Sequence, residues 1–101
     1  MKLAMFIKTT TQPGKRAQVR ALWEEHLRPR AEANGAQEAY AFCEDSMDPD
    51  VFYLFEIYTD ADAMKANAGQ PWFAEYMGQV APLLAGQPDV GMATPVWTKG
   101  L

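Results

Sequence analysis

At 101 residues and a net charge of −4, the chain forms one domain over residues 1–101, large enough to bury a core without disulfides or metal. Its nine basic residues are scattered, which argues against a nucleic-acid partner, and no apolar run approaches the roughly 18 residues of a membrane span. Cys43 is the only cysteine, which rules out an intrachain disulfide and fits a reducing compartment, so a cytoplasmic protein is expected.

Residues 3–9 read as the first strand, too short in its apolar part to be a signal peptide. Leu3, Met5 and Ile7 lie on one face, Ala4 and Phe6 on the other. Pro13-Gly14 closes this strand and opens a helix. Val19, Leu22, Trp23, His26 and Leu27 form its apolar stripe at helical spacing. Pro29 removes a backbone donor and crowds the carbonyl of Glu25, which predicts a kink. Asn34-Gly35 predicts a left-handed stop.

Residues 38–45 read as the second strand. Tyr40, Phe42 and Glu44 share one face, and the small residues Ala39, Ala41 and Cys43 the other. The turn residues 46–50 join it to the third strand, 51–58, as a hairpin. That third strand, VFYLFEIY, is apolar on both faces: Phe52, Leu54 and Tyr58 with Glu56 on one, Tyr53, Phe55 and Ile57 on the other. Asp60 predicts a helix N-cap before residues 61–68. Gly69-Gln70-Pro71 breaks this helix and starts another, whose stripe is Phe73, Tyr76, Met77, Val80 and Leu84. Residues 90–98 read as a last strand with Pro95 inside it, which places it at an edge or bulge.

The order strand, helix, strand, strand, helix pair, strand predicts an α+β, ferredoxin-like four-stranded antiparallel sheet with helices on one face. Helices on one side leave the second apolar face open, so a sheet-on-sheet homodimer is expected.

Three segments carry a resemblance: Pro13-Gly14-Lys15, then Phe52-x-Leu54-Phe55-Glu56-x-Tyr58-x-Asp60, then Pro71-Trp72-Phe73. Over about residues 1–98 the chain resembles the antibiotic biosynthesis monooxygenase domain family. The resemblance implies a dimeric α+β barrel whose last strand reaches toward the partner. It implies cofactor-independent oxidation of quinols or polyphenols by dioxygen, or haem degradation. The chain departs from the family pattern at Tyr58, where a Trp is common, and at Asn67 and Trp72, where His is common. The haem-degrading members use an Asn on the first strand, a Trp on the third and a His on the last helix. Here the matching residues are Ile7 and Tyr58, with no His between Pro71 and Leu84, which argues against haem degradation.

A cofactor-free oxygenase needs a dry pocket, aromatic walls for a flat substrate, and groups that remove a proton and stabilise an anion. The catalytic candidates are His26, Glu56, Asn67, Trp72 and Tyr76. Phe52, Leu54, Tyr58, Trp23 and Met77 are the candidates for contact with a small aromatic substrate. Tyr58, Asn67, Trp72 and Tyr76 are expected to line one cavity between sheet and helices; packing residues are the alternative for Trp72 and Tyr76. His26 is the only histidine and reads either as a packing residue or as a proton acceptor. A carboxylate at Glu56 needs a partner, Arg20 or Arg30, or else a raised pKa, and a structural ion pair across the dimer is the alternative to a catalytic role. One His and one Cys far apart give no metal-ligand spacing, and no glycine-rich phosphate loop is present, so no metal or cofactor is expected. A non-catalytic protein binding a small aromatic ligand is the competing reading.

Overall fold

Strand β1 (Leu3–Thr10) leads into helix α1 (Arg16–Leu22), and α2 (Arg28–Ala33) precedes the hairpin of β2 (Gln37–Glu44) and β3 (Val51–Tyr58) in the computed structural model, which describes residues 1–101. Helices α3 (Ala61–Ala68) and α4 (Pro71–Val80) follow, and β4 (Asp89–Ala93) completes the sheet. The strand order is β2-β3-β1-β4 with every pair antiparallel, the ferredoxin-like arrangement.

Register divides the sheet into two faces. Met5 sits opposite Glu56, Ile7 opposite Leu54 and Thr9 opposite Phe52, all facing the helices. There Val19, Leu27, Phe52, Tyr76 and Val80 make the buried core. Ala4 opposite Ile57, Phe6 opposite Phe55 and Lys8 opposite Tyr53 lie on the other face. Ala4 and Ile57 are buried on that face, but Phe6 is 50% exposed and Tyr53 38% exposed. No helix of the chain is long and apolar enough to cross a membrane.

Several local expectations hold and several need correction. Asp60 caps α3 by accepting a hydrogen bond from the Ala63 amide at 2.8 Å. The expected kink at Pro29 takes the form of a π-helical turn, Trp23–Leu27, in which the Arg28 amide reaches back to the Trp23 carbonyl. Pro29 then falls in the first turn of α2, where its missing donor costs nothing. The left-handed stop at Asn34-Gly35 is absent. Asn34 is extended, and its side chain accepts from the Ala36 amide at 3.1 Å, so an Asx-type turn ends the helix instead.

The last strand is shorter than expected. It begins at Asp89 and ends at Ala93, leaving Pro95 beyond the ladder, where the ring needs no bulge. Strand β2 begins one residue earlier than expected, at Gln37, and carries a bulge between Gln37 and Ala39. That bulge matters for the site.

Candidate active site

A cavity of about 200 Å³ lies between the helix-facing side of the sheet and helices α3 and α4. Its floor is Met5, Ile7 and Thr9 from β1 and Phe52, Leu54, Glu56 and Tyr58 from β3. Its roof includes Met64 and Asn67 from α3 and Phe73, Tyr76, Met77 and Val80 from α4. The two prolines that open and follow α4, at 71 and 82, confine the helix to the length that spans this floor.

One end of this apolar chamber is polar. Tyr58 OH donates to Glu56 Oε1 at 2.7 Å. The Gln37 amide nitrogen donates to the same Glu56 oxygen at 2.9 Å and to Tyr58 OH at 3.0 Å. Asn67 Nδ2 adds a donation to Tyr58 OH at 3.2 Å. The phenol thus accepts twice, which fixes its own proton on Glu56. All of these bonds to the carboxylate fall on Oε1. Glu56 Oε2 has no partner in the chain, yet it is not sealed from solvent, so it faces the cavity as an open acceptor.

The local electrostatics follow from burial. Glu56 is only 6% exposed. Desolvation raises its pKa above the usual carboxylate value of 4.5, against the smaller lowering effect of the Tyr58 and Gln37 hydrogen bonds. Burial, then the Glu56 charge, pushes the Tyr76 phenol up to about 12, and the same two causes raise Tyr58 and Tyr40. These phenols are therefore donors at neutral pH. The Tyr76 hydroxyl makes no hydrogen bond within the chain and is accessible, so it can donate to a guest in the cavity.

This linkage has a measurable sign. A carboxyl whose folded pKa is raised stabilises the fold fully below its unfolded value near 4.5, and that contribution is lost as pH rises through the folded pKa. Glu56→Gln cannot ionise. Its stability relative to the parent should therefore grow from pH 4 toward neutrality, measured as denaturant midpoints across a pH series. A stability difference that does not change with pH would contradict a desolvated Glu56.

The candidates named from sequence divide in two. Glu56, Asn67, Tyr76, Phe52, Leu54, Tyr58 and Met77 all line the cavity. His26, Trp72 and Trp23 do not. His26 sits in the π-helical turn with its ring 6.3 Å from that of Tyr76 and its Nε2 3.8 Å from Glu25. Trp23 packs on Phe42 and donates its indole N–H to Tyr40 OH at 3.1 Å. Trp72 was expected beside Tyr58 and Asn67. It lies outside this cavity, partly buried against the edge of the core, where it shares an adjoining depression with Asn67 and has the Arg30 guanidinium 4.6 Å from its ring.

The expected arginine partners of Glu56 are also elsewhere. Arg20 pairs with Glu24 and Glu44, and Arg30 lies on Trp72. Glu56 is held by neutral donors, which leaves its desolvation uncompensated by an opposite charge. Gln37 was missed. Strict alternation places it with Ala39 on the outer face, but the bulge inserts Glu38 and turns Gln37 inward, opposite Tyr58. The only sequence sign was a polar pair, Gln37-Glu38, at the mouth of an apolar strand.

The fold and the cavity define a small ferredoxin-like domain built around an enclosed apolar site with one carboxylate. A family model for antibiotic biosynthesis monooxygenase matches residues 3–79, and the chain belongs to that family. Among solved structures, it is similar to a Mycobacterium tuberculosis protein at 26% identity, covering 97% of this chain and 98% of that one with a TM-score of 0.83. A Chloroflexus aurantiacus protein, provisionally described as an antibiotic biosynthesis monooxygenase, matches at 21% identity, 99% and 98% coverage and a TM-score of 0.84. A Caulobacter crescentus protein with the same provisional description matches at 21% identity, 95% and 91% coverage and a TM-score of 0.88. At 21% identity these last two likenesses speak to the fold alone. No curated protein matches the chain.

Proposed function

We propose that this protein is a cofactor-independent monooxygenase that oxidises a quinol or polyphenolic small molecule with dioxygen. The observation that carries the proposal is Glu56 Oε2, a single open carboxylate oxygen at the end of an otherwise apolar cavity. A flat phenolic ring fits apolar walls, and its hydroxyl needs one acceptor.

Glu56, with its pKa raised toward the working range of a general base, takes the phenolic proton. The Tyr76 hydroxyl donates to the resulting phenolate oxygen. Tyr58, Gln37 and Asn67 hold the carboxylate in place through Oε1 and the Tyr58 hydroxyl. The electron-rich phenolate supplies the electrons for dioxygen. One oxygen atom forms a new C–O bond on the ring, the other leaves as water, and a quinol becomes a hydroxyquinone. Quinol plus dioxygen equals hydroxyquinone plus water, so no external reductant is needed.

Oxygen uptake with a panel of hydroquinones tests this. One dioxygen should be consumed per quinol above the rate of autoxidation, with hydroxyquinone as product and a slower rate in Tyr76→Phe. No uptake above the protein-free rate with any member of the panel would remove the proposal.

The absence of histidine from the cavity lining favours, as a second reading, a protein that binds a small aromatic ligand without turnover. Saturable binding with no oxygen consumption would select it.

The working unit in either reading is a homodimer. The exposed Phe6 lies against Phe55 with ring centroids 5.2 Å apart, and the neighbours across the sheet are Ala41 and Gly91. An aromatic ridge flanked by small residues supports the packing of a second copy against this face. The lone free cysteine fits a cytoplasmic setting.

A further inference from the structure

The inner cavity is small. Its volume of about 200 Å³ falls below the roughly 300–1,000 Å³ usual for small-molecule sites, so a polyphenol of more than one or two rings must extend out of it. A second, shallower depression of about 370 Å³ lies beside it between α2, α3 and the start of α4. Asn67 lines both spaces, which therefore adjoin at its side chain.

The chemistry of this outer depression is distinct. Arg30, Asn34, Asn67, Gln70 and Trp72 line it, and no carboxylate does. Arg16, Arg20 and Arg28 are all engaged with glutamates, but Arg30 is in no ion pair. Its guanidinium is nonetheless held in place. Nη1 donates to the His26 carbonyl at 2.6 Å, and Cζ lies over the Trp72 ring, 4.6 Å from its centroid. The remaining N–H groups are free for a guest, and a planar guanidinium suits a carboxylate.

From this arrangement we infer that the depression is an outer subsite for an anionic substituent, and that the substrate is an aromatic carboxylate or similar anion whose ring occupies the inner cavity. Arg30 binds the anion, Trp72 fixes the guanidinium, and Asn67 lies where the two parts of the substrate meet. The inference rests on the inner cavity being the ligand site.

Calorimetric titration with a matched pair of probes, 2-naphthol and 6-hydroxy-2-naphthoate, tests it at low ionic strength. The parent protein should bind the carboxylate about fivefold more tightly than the neutral naphthol, the scale of a solvent-accessible ion pair reinforced by hydrogen bonds. Arg30→Gln should abolish that preference and leave 2-naphthol affinity unchanged, which also shows that the variant is folded. Arg30→Glu should reverse it. Equal affinities in the parent, a preference that survives Arg30→Gln, or loss of both probes in Arg30→Gln would overturn the outer subsite while leaving the cavity reading intact. Failure of the parent to bind either probe would overturn both.

Discussion

Glu56→Gln is expected to lower quinol turnover by about a hundredfold or more while substrate affinity changes only a few-fold. General-base catalysis contributes on the order of 10²–10⁴ to a rate, and the amide cannot take the phenolic proton. The replacement keeps the shape of the side chain and an oxygen that can accept from Tyr58 and Gln37, so the cavity wall should persist. The parent rate should rise with pH as Glu56 ionises, through a pKa above 4.5. This ascending limb should vanish in the variant. A variant with unchanged turnover and an unchanged pH profile would show that Glu56 is a structural group. The same substitution should raise stability at neutral pH, because it removes a desolvated charge. Loss of activity combined with a gain in stability would separate a functional carboxylate from a merely misplaced one.

Phe6→Glu is expected to convert the protein from dimer to monomer at micromolar concentration, as read by light scattering or sedimentation. Phe6 lies on a central strand, half exposed, with Phe55 beside it. Full burial of such a side chain contributes about 1.5–3 kcal/mol, and a two-fold interface counts each contribution twice. Association costs about 4–15 kcal/mol, so the ridge must be largely covered for a dimer to persist. A glutamate there would remove the apolar gain and bury a charge from each subunit in the interface. The substituted side chain is exposed within the subunit, so the monomer should remain folded. A parent protein that is already monomeric would sink the dimer, and a variant that stays dimeric would move the interface to another surface.

Much of the fold was legible because its signals are local. The two-sided apolar run at Val51–Tyr58 marks a central strand, and β3 is one, between β2 and β1. Asp60 and Pro71 mark the starts of two helices by capping and by a missing donor, and both helices begin where those residues require. The strand ends were less legible. Pro95 and the turn at Asn34 are read by their hydrogen-bonding neighbours, which depend on what lies across the sheet or past the helix.

For the site, period and spacing placed Glu56, Tyr58 and Tyr76 on faces that converge on one cavity. They could not place Trp72, which stands on the first turn of α4 and packs beside Arg30 from α2, a contact between helices that its spacing from Tyr76 does not report. They could not pair Glu56 either. A charge on an apolar strand suggests an arginine, but Arg20 is taken by Glu24 and Glu44, and Arg30 lies over Trp72.

The sequence by itself determined the element order, the two apolar faces of the sheet and the place of Glu56 on the inner one. These follow from periods of about 2 and 3.6 residues and from the fixed dihedral demands of proline, glycine and capping side chains. Only the tertiary structure decided that Gln37 turns inward at a bulge, that Tyr58 rather than an arginine steadies Glu56, and that Arg30 is left on Trp72 without a carboxylate. Those outcomes depend on register and helix rotation, which are set by contacts between residues far apart in the chain and leave no periodic trace along it.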